Sequence, residues 1–466
     1  MKLCGVDDFA LEPGALSRFV LTPTATSRPV STGPSENERF HLDSVRRDGV
    51  AGWLAIGIDL DRSLDLDDIA RCISALLDRH EVLRCHFTVD AECGYQRHVV
   101  PRGAVSVRPD PCSALDDDVT DRVLTEIAAT CSPFGPVPHF LAALRRPSST
   151  TLVMAFDHCY VDACSLAIIA ADITDELGGR PVGTPDSFLD LLDGQDARPP
   201  IRSDDPRLLG WGQFFADNAW AVPEFPLELG VRPGETAAVH TDVRTLLDSR
   251  AADRFDHALR AVGARTYATL LSCAAQAVHR CGGPDRLATI IPVQTRDRPS
   301  SRRSVGWLVA SAPVVAVAPA ASRAHRAGTD RQDWFAALQD NTIRVREALP
   351  LSEIGLTPIY RAYAGSLHVA RKDIFMVSYI DYRRLDFPAS AVTRQLSSGR
   401  HSDTAQWWFW RDRDGLHVRT RFPHTSTAHA VMEDVLAELA VAAHAVADLP
   451  GVCGNVGPEV LRAHRG

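Results

Sequence analysis

One short segment of the chain places a histidine and two carboxylates at the end of an apolar strand. The run Ser149–Phe156 (STTLVMAF) has the length and β-branched content of a strand, and it leads directly into DHCYVDA, residues 157–163. His158 can enter a cleft from such a turn, and imidazole is the side chain best suited to proton transfer near neutral pH. Asp162 can fold back towards His158 or pair with a cation elsewhere, and the spacing does not choose between these.

The same residues also have a purely structural interpretation. His158 can be satisfied by a backbone carbonyl while Asp162 caps the following helix, and because the bare H-x-x-x-D spacing often arises by chance, the residues alone favour this interpretation. Cys159 and Cys164 flank the turn, but a zinc site needs four ligands in tighter pairs, and single cysteines are far more often core residues. We therefore predict no metal site at this turn.

Hydrophobic periodicity predicts the elements that hold this turn. Gly52–Leu60 (GWLAIGIDL) is typical of a buried strand, and Asp67–His80 has apolar residues at every third or fourth position, as a helix packed on a core does. Ser165–Leu177 has the same helical spacing and is followed by Gly178 and Gly179, which commonly end helices. The turn is therefore predicted to connect a strand to a helix.

The second half of the chain repeats this content. Ser249–Val262 and Thr266–Arg280 are predicted helices, and Ala288–Val293 is a predicted buried strand. Between the halves, residues 178–210 contain several Gly, Pro and Asp residues and little periodicity. We predict two subdomains, residues 1–197 and residues 198–466, that meet at a cleft.

Composition limits the class of protein. The 466 residues carry 50 Lys and Arg against 59 Asp and Glu, a formal charge of -9, which argues against a nucleic-acid binder. Eleven scattered cysteines without a C-x-x-C pair indicate reduced thiols and a cytoplasmic protein, and no signal peptide is evident after Met1. The most apolar run, Trp307–Ala321, is broken by Pro313 and Pro319 and is too short to span a membrane.

Several segments, in the same order along the chain, resemble the motifs of one superfamily. Residues 157–163 are similar to the HHxxxDG motif of the condensation-domain superfamily, which includes chloramphenicol acetyltransferase-like enzymes, nonribosomal peptide condensation domains and mycobacterial polyketide-associated acyltransferases. The other matching segments are Ser74–Phe87 (SALLDRHEVLRCHF), Phe134 with Pro136, Pro292–Arg296, Val305–Val309 and Phe375–Arg383 (FMVSYIDYR). The matches extend from about residue 35 to residue 445, so the resemblance covers nearly the whole chain.

The resemblance implies a fold and a set of site residues. It implies an α/β fold of two chloramphenicol-acetyltransferase-like subdomains arranged as a V, each a mixed sheet covered by helices, with the active site at their junction. His158 corresponds to the catalytic histidine, and Asp162 to an aspartate that forms a structural salt bridge, here with Arg296. Ser378 and Tyr379 are placed across the cleft, where either could hydrogen-bond a substrate.

The chain departs from the superfamily pattern at three positions of these motifs. Asp157 stands in place of the first histidine, and Ala163 in place of the glycine that leaves room for the thioester arm. Both are therefore predicted to affect substrate contacts. Ala310 replaces an asparagine, and the C-terminal D-F-G-W-G signature is absent, with the aromatic run Trp407–Trp410 near its expected place.

The activity implied by the resemblance is acyl transfer. A thioester donor, on coenzyme A or on the phosphopantetheine arm of an acyl or peptidyl carrier protein, would pass its acyl group to a small-molecule acceptor, with His158 as general base and no tightly bound cofactor or metal. The FMVSYIDYR segment favours a freestanding acyltransferase of a biosynthetic pathway that forms an ester on a hydroxyl. Two alternatives stay open: a freestanding condensation enzyme that forms an amide, and a catalytically silent docking platform for carrier proteins or tailoring enzymes.

Overall fold

The computed structural model describes residues 1–49, 51–90, 94–111, 119–196, 200–319, 331–385, 391–399 and 401–449. Its strands are β1 Lys2–Leu3, β2 Ala15–Pro23, β3 Arg28–Pro29, β4 Trp53–Leu60, β5 Cys85–Asp90, β6 Gly94–Val99, β7 Val105–Pro111, β8 Phe140–Arg145, β9 Thr150–Asp157, β10 Ala237–Asp248, β11 Arg286–Gln294, β12 Val309–Val317, β13 Met376–Asp381, β14 Ala391–Ser397, β15 His401–Ser402, β16 Gln406–Arg411 and β17 Gly415–Pro423. Its helices are α1 Glu36–Asp48, α2 Leu66–Arg79, α3 Val119–Thr130, α4 Ala163–Leu177, α5 Phe188–Asp196, α6 Pro206–Asp217, α7 Ser249–Val262, α8 Thr266–Arg280, α9 Arg331–Ala348, α10 Leu356–Tyr363 and α11 Ser426–Ala447.

The first seven-stranded sheet has the order β1-β14-β4-β9-β8-β2-β7 and carries the predicted active turn. Every residue of β9 is buried, because α2 and α4 cover one face of the sheet and α3 covers the other. A strand covered on both faces is a nearly continuous apolar run, which is the pattern of residues 152–156 (LVMAF). The predicted strand, turn and helix around His158 are confirmed.

The second seven-stranded sheet has the order β12-β11-β13-β16-β17-β10-β15. The predicted helices Ser249–Val262 and Thr266–Arg280 are confirmed as α7 and α8, which pack with α11 on one face of this sheet. The predicted buried strand Ala288–Val293 forms the middle of β11. Trp407 and Phe409 on β16 lie in this core, as expected for aromatic residues on a strand.

One strand from the second half of the sequence belongs to the first sheet. β14 pairs antiparallel with β4 from Ala391 opposite Leu60 to Ser397 opposite Leu54, and it also pairs in parallel with the N-terminal β1. Leu396 is fully buried in the first half. The two halves are therefore joined by shared backbone hydrogen bonds as well as by side chains, and the subdomain boundary near residue 197 stays a prediction.

Among the described residues, no helix has both the length and the apolar character needed to cross a bilayer.

Candidate active site

His158 lies on the turn directly after β9. The backbone N–H of His158 donates to the carbonyl of Gly52 at 2.7 Å, which extends the β4–β9 pairing by one residue. Two residues on, the Tyr160 hydroxyl donates to the carbonyl of Pro133 at 2.8 Å, and Tyr160 is fully buried. The backbone on both sides of the imidazole is therefore held by the first sheet and its core.

The imidazole of His158 stacks on the indole of Trp307, which comes from the second half of the chain. The ring centroids are 3.9 Å apart and the ring planes make an angle of 22°. Nδ1 of His158 is buried and has no hydrogen-bond partner among the described residues. Burial, with a smaller contribution from the neighbouring His41, lowers the pKa of His158 to about 4. The ring is therefore neutral at pH 7 and able to accept a proton.

Asp162 both caps α4 and forms a two-pronged ion pair with Arg296. Its Oδ1 accepts from the backbone N–H of Ser165 at 2.7 Å and from the Ser165 hydroxyl at 2.8 Å. Nη1 of Arg296 lies 2.8 Å from Oδ2, and Nη2 lies 2.9 Å from Oδ1. Burial alone raises the pKa of Asp162, but the charge of Arg296 and these hydrogen bonds outweigh burial and hold the pKa below its usual value.

The Arg296 side chain also organises the loop that carries Trp307. Its Nε donates to the carbonyl of Ser304 at 2.9 Å, and Nη2 donates to the carbonyl of Gly306 at 3.1 Å. Gly306 has φ +152°, and a Cβ at this position would overlap the ring of Phe188. A glycine is therefore required immediately before Trp307, and the ion pair and the stacked indole form one connected structure.

The carboxylate of Asp157 forms hydrogen bonds with other residues of the protein. Its fully buried carboxylate accepts from Nε2 of His41 at 2.8 Å and from the backbone N–H of Cys159 at 2.9 Å. The His41 ring is 6.3 Å from the His158 ring and 6.0 Å from the Trp307 ring, measured between centroids. Asp157, predicted as a weak substrate contact, thus holds α1 against the active turn.

The R-H-E-x-L-R segment also fixes elements around the site. Nε2 of His80 lies 2.8 Å from the buried carboxylate of Asp172 on α4, and Arg303 of the second half binds the same carboxylate at 2.5 Å. Glu81 accepts from the backbone N–H of Leu189 at 3.1 Å at the start of α5. Arg84 donates to two backbone carbonyls. These charged residues therefore position α4 and α5, and α4 meets the second half at two ion pairs.

A cavity of about 830 Å³ lies at the junction, on the side of Trp307. Both halves line it, the first through Ser35–Asn37 of the α1 start and the second through the ends of β11 and β12. The amide of Asn37 donates to the carbonyl of Val309 at 2.7 Å, and Glu36 accepts from the backbone N–H of Leu356 at 2.6 Å. This volume is typical of small-molecule sites. Trp307 thus contacts His158 and also lines the cavity.

Comparison with known proteins yields relatives in both sequence and structure. No family model matches the chain. The trehalose-2-sulfate acyltransferase PapA2 of Mycobacterium tuberculosis is 24% identical over 467 aligned positions, which span 93% of this chain and 94% of PapA2. The solved structure of a PapA2 acyl transferase superposes with a TM-score of 0.84 at 20% identity, and covers 96% of this chain and 100% of that chain. The first condensation domain of the calcium-dependent antibiotic synthetase superposes with a TM-score of 0.68 at 16% identity, over 91% of this chain and 98% of that one.

The chain has the condensation-domain fold. The predicted resemblance and the predicted fold class are therefore confirmed. Within this fold the similarity extends over both halves, because more than nine-tenths of the chain is aligned with each of the two structures.

The other predicted site residues lie in three places. Ala163 is the first residue of α4, and Ala310 lies on β12 and lines the cavity. Ser378 and Tyr379 lie on β13, in the interior of the second sheet, and neither lines the cavity. The Tyr379 ring packs 5.9 Å from that of Tyr267, against the core of the second half. Their contact with substrate stays a prediction.

The two cysteines of the turn are protonated thiols at neutral pH. Burial raises the pKa of Cys164 to about 12, and burial raises the pKa of Cys159 far above its ordinary value. The amide of Gln294 donates to Sγ of Cys164 at 3.0 Å. Cys159 is wholly buried, so it acts as a core residue.

Trp307 and His41 are the two site residues that sequence reasoning missed. Trp307 lay within the recognised Val305–Val309 segment, but nothing in that segment indicates which ring it meets. His41 carried a weak signal, since it lies on the apolar face of α1 with Leu42 and Val45, where an ionisable side chain requires a buried partner. That partner, Asp157, is 116 positions away and only the fold identifies it.

Proposed function

We propose that this protein is a freestanding acyltransferase that transfers an acyl group from a phosphopantetheine-linked thioester to a hydroxyl acceptor, with His158 as general base. The observation that carries the proposal is the neutral imidazole of His158, held at the junction of the two halves against Trp307, which lines a cavity shared by both halves. The acyltransferases among its relatives support the same reaction class.

Asp162 is assigned a structural part in this reaction. Both of its oxygens are bound by Arg296, and Oδ1 is also bound by Ser165, so it is not free to relay a proton from His158. The imidazole therefore acts without a carboxylate partner in hydrogen-bond contact among the described residues. Because Nδ1 is buried, Nε2 is the ring nitrogen left for the substrate.

The proposed step needs neither a metal nor a covalent enzyme intermediate. His158 accepts the proton of the acceptor hydroxyl while the hydroxyl oxygen attacks the thioester carbonyl and a C–O bond forms. The tetrahedral intermediate then collapses, the C–S bond breaks, and the departing sulfur takes the proton from the imidazolium. Holding both substrates at one junction supplies much of the remaining acceleration. A neutral imidazole before the attack is the required starting state.

The donor and the compartment are also part of the proposal. Coenzyme A and a carrier protein present the same phosphopantetheine thioester, and the proposal is that one of them delivers it through the cavity that both halves line. The described cysteines Cys4, Cys72, Cys85, Cys131, Cys159, Cys164, Cys273 and Cys281 are all free, which supports a reducing cytoplasm where both donors occur.

The test is a matched comparison of donors and acceptors with the purified chain. Acyl-coenzyme A thioesters of increasing length and acylated carrier proteins are each offered with polyol, sugar and amine acceptors, and both free-thiol release and acylated product are measured. We expect ester formation that is lost in His158→Ala and retained in His444→Ala, since His444 is exposed on α11 and far from the turn in the sequence. Undiminished turnover in His158→Ala contradicts the proposal.

Amide formation is the second candidate, because a peptide condensation domain shares the fold over 91% of the chain. The same experiment separates the two reactions, since amine acceptors then give a His158-dependent amide and hydroxyl acceptors give no ester. A silent docking platform predicts tight binding of an acylated carrier protein without any His158-dependent thiol release.

A further inference from the structure

A cluster of three histidines lies in the second half of the chain, away from the candidate active site. His240 is on β10, His424 directly follows β17, and His429 is in the first turns of α11. Their ring centroids are 4.4 Å apart for His240 and His429, 4.9 Å for His424 and His429, and 5.5 Å for His240 and His424. One ring nitrogen from each lies within 4.8 Å of the other two.

We propose that His240, His424 and His429 bind one divalent zinc-class cation. Three imidazoles with a fourth position open to water form a common zinc coordination set, and imidazole nitrogen also suits nickel and copper. Two nitrogens on one tetrahedral zinc lie about 3.4 Å apart, given Zn–N bonds of about 2.1 Å. The rings therefore need to close by about an ångström, which side-chain rotation at a partly exposed site allows.

The backbone of the cluster is fixed from three directions. His240 is in register with Phe422 on β17, and the N–H of His424 donates to the carbonyl of Ala238 at 2.7 Å. The N–H of His429 donates at 3.0 Å to the carbonyl of Thr425, the residue that caps α11. The three imidazole rings are thus held close together by two adjacent strands and one helix. Such rigid elements provide the support that a metal site requires.

One ring nitrogen of the cluster is buried without a hydrogen-bond partner in the part of the chain that the structure describes. This atom is Nε2 of His429. A buried polar atom without a partner is costly, and a bound cation would satisfy it.

The surrounding charges are compatible with a cation. Asp242 is two residues from His240 on the same face of β10, and Glu433 is one helical turn from His429 on α11. Arg244 pairs with both carboxylates, at 2.7 Å to Asp242 and 2.5 Å to Glu433. Two carboxylates and one guanidinium therefore lie on the two elements, β10 and α11, that carry His240 and His429.

The site is separate from acyl transfer. β10 and β11 are four strand positions apart in the second sheet, about 19 Å at about 4.8 Å per strand, and β11 carries the cavity residues. A cation here would tie the start of α11 to β10 and to the end of β17. We therefore expect it to stabilise the second half of the chain without entering the reaction.

The experiment measures zinc binding to the full chain, prepared without a polyhistidine tag and dialysed against a chelator. Isothermal titration with zinc chloride is expected to show one tight equivalent per chain, and cobalt is expected to give a visible absorption band of tetrahedral type. His240→Gln and His429→Gln should each weaken zinc affinity at least about tenfold, since even outer partners of metal ligands contribute about 10- to 100-fold. His444→Gln, on the same helix but outside the cluster, should leave the affinity unchanged.

Thermal melting separates loss of the site from loss of the fold. Without metal, wild type and both variants should melt alike, and zinc should raise the melting temperature of wild type and His444→Gln only. His424→Gln provides a second test at an exposed position, where a folding defect is not expected. Absence of a stoichiometric zinc equivalent in wild type, or equal affinity in wild type, His240→Gln and His429→Gln, overturns the proposal.

Discussion

The guanidinium of Arg296 binds both carboxylate oxygens of Asp162 across the junction of the two halves, at 2.8 and 2.9 Å. Both side chains are only 5% exposed. The same guanidinium binds the loop carbonyl before Trp307, and Trp307 stacks on His158. One ion pair therefore fixes the helix after the active turn and the loop that covers it.

Removing either partner of this ion pair should destabilise the protein. Asp162→Ala and Arg296→Ala should each lower the free energy of unfolding by about 3 to 5 kcal/mol, because each leaves a buried charge unpaired. The double variant should cost less than the sum of the two. Urea denaturation measures all three, with Arg202→Ala as the control, since the Arg202–Asp204 pair is 80% and 68% exposed and its loss should leave stability near that of wild type. Additive losses for Asp162→Ala and Arg296→Ala contradict the assignment.

His158→Ala should separate activity from stability. We expect the acyl-transfer rate to fall by roughly 10²- to 10⁴-fold, the usual contribution of a general base, because His158 is the only residue proposed to accept the proton of the acceptor hydroxyl. Its Nδ1 forms no hydrogen bond within the described residues, so soluble yield and melting temperature should stay near wild type, unlike those of Asp162→Ala. Steady-state kinetics and calorimetry on both variants check this division, and equal melting of the two variants contradicts it.

Activity should persist to unusually low pH for a histidine enzyme. The pKa of His158 is lowered to about 4, so the imidazole is neutral above that value, and kcat/KM should begin to fall only as the pH approaches 4. The free energy of unfolding should fall earlier, between about pH 6.5 and pH 4, because the unfolded chain binds a proton near pH 6.5 that the folded chain does not bind until about pH 4. A pH–rate profile with urea denaturation at each pH tests both statements. An acid limb near pH 6.5 contradicts the first.

Trp307→Ala should raise the pKa of His158. The stacked indole supplies part of the burial that lowers this pKa, so exposing the ring to water should move the acid limb of kcat/KM upward towards the ordinary histidine value. Trp307 also lines the cavity, so the substrate KM should change as well. Trp307→Phe retains an aromatic face and serves as the matched control, with a smaller shift expected. An unchanged pH profile in Trp307→Ala shows that the indole does not set the pKa.

Local patterns predicted the elements with good accuracy. The helices at 249–262 and 266–280 agree with the structure in both bounds, and the strand before His158 agrees within one residue. These elements can be recognised because burial of one face, or of both, requires apolar residues at regular spacing along the local sequence. The place of β14 in the first sheet could not be predicted in this way. Its pairing with β4 joins residues more than 330 positions apart, and local periodicity does not identify a pairing partner.

The sequence by itself determined that a histidine follows a buried strand, that a helix follows the histidine within a few residues, and that the motifs of one superfamily occur in order. Tertiary structure decided what surrounds that histidine: the indole of Trp307 stacked on the ring, and the pairing of His41 with Asp157 beside it. It also decided that three distant histidines meet beside β10. The physical reason is that periodicity records whether a side chain is buried, whereas packing between elements selects the neighbour that it is buried against.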